Sequence, residues 1–313
     1  MELQQSPPYK KYITQLHWTV LTLDGVNIFI KKIPFMGVIA KIQRPITLPY
    51  IPKLIPFLKK HGVSRIIVEP TVDTDQTIFH GYMHSVSKFF TIHTESFLPT
   101  KTIRVDLTVP EKMLFDTLTE AKRRAVRKAI KNSVVIQESH DIRDLIKIKS
   151  TSAGLFGGIT TYGIDKLWKL LYPEHATILL AYSSSHLINS SSRSTYLSSR
   201  PPSRDLKMPD SSFAKASVDR QVRHDTIVGG VLLIFYDHIA YYWIAGATKK
   251  GKKLFAPTLL VWEALKVSKQ RGCKQFDFVG VFDERAPKQF TSWKGFTKFK
   301  EGFGGKELYY PIN

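Results

Sequence analysis

Thr226-Ile227-Val228-Gly229-Gly230-Val231-Leu232-Leu233-Ile234-Phe235 and Ile239-Ala240-Tyr241-Tyr242-Trp243-Ile244-Ala245-Gly246-Ala247 read as two paired strands around Tyr236-Asp237-His238. Pro257 then stands where a helix can start, residues 259–270 run with helical periodicity, Gly272 ends the run, and residues 274–279 are again extended. The first half of the chain has the same order. Residues 18–30 predict a hairpin on Asp24-Gly25, a dipeptide suited to the positive backbone angles of a primed turn. Residues 37–43 are extended, and residues 48–61 carry Ile51, Leu54, Ile55 and Leu58 at helical spacing before Gly62; residues 63–69 form a strand. Both halves thus run strand, strand, helix, strand, without a residue-level repeat. That order predicts twin α/β (α+β) domains, each a mixed, mostly antiparallel sheet flanked by helices, with a groove between them. The division is placed at 1–105 and 106–313.

Between the halves, Thr108-Val109-Pro110-Glu111 has capping-box spacing, and Leu114, Leu118, Ala121, Ala125 and Ala129 continue one helical stripe. The outer part of this helix is strongly basic. Arg123, Arg127 and Lys131 fall along one face, with Arg124 and Lys128 beside it. An excess of one sign repels itself unless an anion offsets it, so phosphate binding stands beside the plainer reading of a solvated face. Residues 184–225 are different again. Ser190-Ser191-Ser192, Ser198-Ser199 and Arg200-Pro201-Pro202-Ser203 leave too little apolar surface to offset chain entropy, which predicts a disordered insertion into the second domain.

Composition bounds the partners. The 313 residues suffice for two domains of roughly 100 to 200 residues each, and 43% hydrophobic content fills two cores. Lys+Arg 46 against Asp+Glu 26 gives a net charge of +20, a field that draws in polyanions. Cys273 is the single cysteine, which excludes an intramolecular disulfide and a multi-cysteine metal site and fits a reducing compartment. The N-terminus has no apolar signal core, and the apolar run at 227–236 falls far short of the ~20 residues that span a bilayer. A cytoplasmic monomer is expected, with peripheral contact at the inner membrane surface left open. Phosphate-loop, nucleophile-elbow and His-Glu-x-x-His patterns are absent, so no metal or cofactor is expected and covalent catalysis is set aside.

The C-terminal region carries the sharpest site signal. After Phe276-Asp277-Phe278-Val279-Gly280 and a loop comes Phe299-Lys300-Glu301-Gly302-Phe303-Gly304-Gly305: a lysine between aromatics, then glycines that let backbone approach a ligand. An acyl-CoA N-acyltransferase needs spaced glycines to hold pyrophosphate at a helix N-terminus. The corresponding stretch is Lys249-Lys250-Gly251-Lys252-Lys253-Leu254-Phe255-Ala256-Pro257, which lacks the spaced glycines, although its four lysines could still grip phosphate as point charges on flexible stems.

In order along the chain, these segments resemble the FemABX (Fem) family of aminoacyl-tRNA-dependent peptidoglycan bridge peptidyltransferases. The resemblance rests on Thr102-Ile103-Arg104-Val105-Asp106-Leu107, the basic helix and Val134-Val135-Ile136. It continues through Tyr241 to Ala247, Ala256-Pro257-Thr258-Leu259-Leu260-Val261-Trp262-Glu263-Ala264, and the two C-terminal stretches. Lys41-Ile42-Gln43-Arg44-Pro45 and Val68-Glu69-Pro70 fit the family's first domain more loosely. The resemblance implies tandem GNAT-like (acyl-CoA N-acyltransferase) domains and transfer of an amino acid from aminoacyl-tRNA, as co-substrate, to the amine of a UDP-linked or lipid-linked muropeptide. Lys300 matches the lysine of the family's Phe-Lys motif and is expected to face the developing oxyanion or the tRNA end beside it, with Phe299 as a substrate contact. Tyr242 and Trp243 are expected at the acceptor groove, Asp277 at the loop backbone or at Lys300, and Lys41 and Arg44 either at the acceptor's diphosphate or on a plain exposed face. The basic helix would take the tRNA. Residues 144–189 contain no arginine, where some family members grip the diphosphate. Two other readings remain: an acyl-CoA or thioester-dependent N-acyltransferase acting on a polysaccharide or lipid amine, and a non-catalytic RNA-binding protein.

Overall fold

The computed structural model describes residues 2–153, 161–183 and 226–313; the segment 184–225 read as an insertion lies outside the described residues. Helix α1 (Pro7–Gln15) starts on Ser6, whose hydroxyl accepts the Tyr9 amide, and leads into β1 (Thr19–Leu23) and β2 (Val26–Ile33). Asp24 and Gly25, at φ 47° and 82°, make the primed turn between them. β3 (Gly37–Gln43), α2 (Ile51–Lys60), β4 (Arg65–Glu69), α3 (Gln76–Ser87) and β5 (Thr91–Ile92) complete a five-stranded sheet, ordered β1-β2-β3-β4-β5. β1, β2 and β3 pair antiparallel, while β4 and β5 join in parallel.

The second unit opens with β6 (Lys101–Asp106), α4 (Glu111–Thr117), α5 (Glu120–Lys131), β7 (Val134–Ser139), α6 (Ile142–Ala153) and α7 (Ile164–Leu171). It closes with β8 (Ala176–Ser183), β9 (Thr226–Tyr236), β10 (Ile239–Ala247), α8 (Lys249–Lys253), α9 (Ala256–Gln270), β11 (Gln275–Asp277), α10 (Lys294–Glu301) and β12 (Lys306–Tyr309). The seven strands are ordered β12-β6-β11-β10-β9-β8-β7, and only the β10/β11 pair is parallel.

Two expectations need correction. β6 pairs with β11 and β12, so the boundary lies between β5 and β6 and not at 105/106; an extended run does not itself say which sheet will take it. Nor does Thr108 cap a helix. Its amide and hydroxyl both bind the Asp106 carboxylate, and the expected single helix breaks at Leu118 and Thr119, whose ψ values of 141° and 153° are extended.

Three apolar cores result. Ile28, Ala40, Ile42 and Ile66 bury one face of the first sheet beneath Leu54 and Leu58 of α2 and Phe79 and Met83 of α3. Val231, Leu233 and Phe276 bury one face of the second sheet against α5 and α9. The middle core belongs to both units: Phe29 of β2 and Tyr9, Tyr12 and Ile13 of α1 pack with Leu145, Ile148 and Trp168 and with Ile178, Leu232 and Tyr241 of the second sheet. α1, silent in the sequence patterning, therefore fastens the first unit to the second.

β8 and β9 stay paired as far as Ser183 and Thr226, the residues on either side of the Ser/Arg-rich segment. Because these strands already meet, deletion of 185–223 with a short turn in its place should leave the melting temperature within about 4 °C of the intact chain, the shift of roughly 1 kcal/mol at this size. A larger fall in a thermal scan would show that the segment contributes to the fold.

Candidate active site

The site begins with a buried carboxylate. Asp277, the last residue of β11, accepts hydrogen bonds from Thr102 Oγ1, Arg104 Nε and the Val279 amide, all at 2.6 Å. The Arg104 guanidinium also donates to Glu2 at 2.8 Å, and its pKa is raised by these two carboxylates against the opposing effect of burial. Holding the Val279 amide fixes a sharp turn: Val279 is left-handed at φ 62°, and Gly280 follows at φ 150°. A Cβ on Gly280 would lie 2.8 Å from Pro99 and from the Trp293 ring, so this position excludes side chains.

The turn aims two carbonyls at Lys300, in the last turn of α10. Lys300 Nζ donates to Phe278 O at 2.8 Å and Gly280 O at 2.6 Å. An ammonium has three donors, which leaves one for a ligand. Burial pulls the Lys300 pKa down to about 7; Lys149 adds to the lowering and Asp277 opposes it. Asp277 thus serves the loop and Arg104 by direct contact, and reaches Lys300 only through the turn and by its charge.

Lys300 borders a cleft of about 620 Å³ whose walls include Lys149, Tyr242, Lys252, Phe255, Phe296 and Phe299. Tyr242 packs on Phe276 and Phe278 with ring centroids 6.0 and 5.7 Å apart, and burial pushes its hydroxyl pKa up. The β9/β10 register shifts between Tyr242 and Ile244, and this irregularity sets Trp243 on the wall of both this cleft and a second one. Phe299 carries Lys122 Nζ 3.7 Å from its ring centre; burial draws that lysine down to about 8. The C-terminal glycines serve chain packing rather than a ligand: Gly302 lies against the Lys122 stem, and a Cβ on Gly305 would sit 2.6 Å from Arg104 O.

The basic helix flanks the cleft. Lys128 Nζ lies 5.5 Å over the ring of Phe255, a cleft wall, and Arg127 lies 5.7 Å over Phe115. Arg124 pairs with Glu120 at 3.5 Å in the open, and Lys131 is exposed. Arg123 is committed elsewhere, donating to Asp116 O and Leu118 O at the break before α5.

The second cleft, about 220 Å³, lies between the units and is lined by Glu2, Arg44, Trp243, Tyr241, Asp277 and Tyr310 among others. Neither Lys41 nor Arg44 is a plain exposed residue. Arg44 is buried, donates to Pro70 O at 2.6 Å and Pro99 O at 2.5 Å, and lies 3.3 Å over the Tyr310 ring, so its fork is occupied. Lys41 keeps its donors: Nζ sits 3.6 Å from the Phe97 ring centre and 4.6 Å from that of Trp18, with no hydrogen-bond partner among the described residues. Burial lowers its pKa to about 8. The C-terminal return is short yet effective: beyond β12, Ile312 exchanges hydrogen bonds with the Gln76 side chain of the first unit.

Sequence reading assigned no role to Lys149, Phe255 or the Arg104–Glu2 contact, and named Lys252 only among four lysines able to grip phosphate. Lys149 did carry a signal, since it stands four residues after the fully buried Leu145, on the inner side of α6. Its Nζ has no hydrogen-bond or ion-pair partner among the described residues, and burial lowers its pKa.

Two sheets of this topology with a cleft between β10 and the start of α9 have the fold of tandem GNAT-like domains. The crystal structure of FemX is similar at TM-score 0.67 and 13% identity, covering 99% of this chain and 90% of that one. The C-terminal domain of a putative lysylphosphatidylglycerol synthetase from Agrobacterium fabrum is similar at TM-score 0.57 and 11% identity, over 96% of this chain and 85% of that one. L-PGS from Bacillus licheniformis is similar at TM-score 0.51 and 11% identity, over 99% and 91%. No curated protein matches in sequence. The FemAB family model matches residues 206–308, and with the FemX likeness it supports the FemABX resemblance read from the sequence. Among the described residues no helix is long and apolar enough to cross a membrane.

The Arg104–Asp277 pair is almost fully buried, with side chains 11% and 3% exposed. Arg104→Met should therefore cost about 3–5 kcal/mol by stranding the carboxylate, and Arg104→Met/Asp277→Asn less than the sum of its parts. Urea unfolding of the four proteins in this cycle measures both; additive losses would remove the pair from its central role.

Proposed function

We propose that the protein is an aminoacyltransferase that moves an amino acid from aminoacyl-tRNA to the amine of a peptidoglycan precursor peptide, cytoplasmic and without a metal or covalent intermediate. The reading rests on one observation above all: Lys300 is held by two carbonyls at the wall of a cleft with a donor to spare. The aminoacyl ester is already activated. The acceptor amine attacks its carbonyl carbon, the carbonyl electrons move to oxygen, and Lys300 as ammonium stabilises that oxyanion. Collapse forms the amide and breaks the ester; the tRNA hydroxyl leaves with a proton, and the amine gives one up. Tyr242 and Phe299 exclude water from the cleft, which strengthens the charge interaction.

Lys252 and the exposed cations of α5 flank the same cleft, where the tRNA phosphates would lie. Lys41 and the inter-unit cleft would receive the acceptor. A thioester donor is the competing chemistry; α8, with Lys249, Lys250, Lys252 and Lys253, stands where CoA-dependent enzymes need spaced glycines.

The test is transfer of radiolabelled amino acids from a total aminoacyl-tRNA pool to UDP-linked muramyl pentapeptide and to its lipid-linked form. Lys300→Ala should lower the rate about 10²–10³-fold in a protein that still unfolds in one cooperative transition. No transfer to either acceptor, together with CoA binding in a calorimetric titration, would favour the thioester reading; RNA binding with no transfer reaction touched by Lys300→Ala would favour a binding protein.

The pH profile separates charge stabilisation from base catalysis. An ammonium is present below its pKa and lost above it, so transfer should fall as the pH rises through about 7. A rate that climbs through the same pH would instead make neutral Lys300 a base.

A further inference from the structure

The hairpin between β2 and β3 carries Pro34-Phe35-Met36 at its tip. Phe35 is wholly exposed with φ 62°, and Met36 is exposed beside it. Apolar side chains held clear of the protein on a tight turn contribute nothing to the core and mark a contact surface.

The chain gathers a second set of residues around this tip. Gly37 abuts Ser64, whose amide donates to Val38 O at 2.9 Å, and Thr91 donates to Ser64 O at 3.1 Å, so these starts of β3, β4 and β5 form one end of the first sheet. The C-terminal ends of α2 and α3 reach the same end, where Lys59 Nζ stands 5.0 Å over the ring of the exposed Phe89. The segments 31–38, 57–65 and 86–91 that build it contain Lys31, Lys32, Lys59, Lys60, Arg65 and Lys88, and no aspartate or glutamate. Lys32, Lys59, Lys60 and Lys88 are exposed. The Asp24 carboxylate belongs to the opposite end, in the β1–β2 turn, where it pairs with Lys53 at 3.0 Å.

We propose that this end of the first unit docks on an anionic lipid bilayer, with Phe35 and Met36 entering the boundary between headgroups and acyl chains and the lysines lying over lipid phosphates. An apolar projection inside a one-signed ring of flexible cations matches that boundary in both respects. Nucleic acid also attracts cations, and the Phe35 ring could stack on a base, but the neighbouring Pro34 and Met36 extend the tip as aliphatic surface, which suits penetration of an apolar layer better than a stacked strand. Lys31 and Lys41 both lie over the Trp18 ring, at 5.6 and 4.6 Å, so the cations continue from the docking end toward the inter-unit cleft. The docking stands apart from the proposed reaction.

Flotation of the full chain with vesicles of phosphatidylcholine, alone or mixed with phosphatidylglycerol, tests this. Binding should require phosphatidylglycerol and weaken with salt. Phe35→Ser should lower partitioning about tenfold, and Lys32→Glu/Lys60→Glu at least about tenfold. All these side chains are exposed, so melting temperatures should match the unaltered chain, whereas Arg124→Glu/Lys131→Glu on α5 should leave flotation unchanged. No flotation at low salt overturns the proposal. So does flotation that survives the hairpin and end variants but is lost with the α5 variant, and so does loss of tRNA retention on a filter by the Phe35 variant with its flotation intact.

Discussion

The site depends on the carboxylate of Asp277. Buried from water, it is balanced by Arg104 on the neighbouring strand, and that guanidinium is shared with Glu2 from the start of the chain. Its remaining capacity goes to the Thr102 hydroxyl and the Val279 amide. The last of these turns a stabilising contact into a functional one, because the Val279 turn presents the Phe278 and Gly280 carbonyls that hold Lys300. One charge thus ties the N-terminus, two strands and the loop that holds Lys300 into a single arrangement. A carboxylate with this many partners positions the turn, and the turn in its place sets the Lys300 ammonium at the wall of the cleft.

Burial also decides how the large positive charge is used. Most of the lysines sit in water, but Lys41, Lys122, Lys149 and Lys300 are drawn into apolar surroundings that lower their pKa values. For Lys300 the window runs from about 7 to the ordinary 10.5, where the unfolded chain binds more protons than the folded one and stability therefore rises with pH. Below that window the folded protein carries a desolvated ammonium at a cost. A bound anion or oxyanion offsets that cost, so charge buried at the cleft favours an anionic partner over water.

Much of the fold was legible in the sequence because its signals are local. Asp24-Gly25 set the first hairpin, Gly62 and Gly272 end their helices at positive φ, and Leu54 and Leu58 mark the inner face of α2. The partnership of β6 was hidden, since an extended segment pairs equally well on either side of a domain boundary. α1 went unread because its inner residues are Tyr9, Tyr12 and Ile13 among lysines, a weak apolar pattern whose burial depends on the second unit. At the site, the Phe-Lys stretch located Lys300, but the glycines after it answer to Arg104 and Lys122 in the fold and not to a ligand. Phe255 reaches the cleft through packing between elements far apart in the chain, of which sequence spacing holds no record, whereas Lys149 was marked only by its place four residues after Leu145.

The middle core changes what the twin architecture can become. Two copies of a fold joined by a linker could diverge, rotate or be lost separately, each keeping its own interior. Here Phe29 and α1 from one copy complete the middle core on the sheet of the other, so that core is lost if they part even though each copy keeps the core on its other face. The pair has become one heritable unit: substitutions at Phe29 or Tyr9 are constrained by side chains more than a hundred residues away, and a change that suits one half must also suit the other.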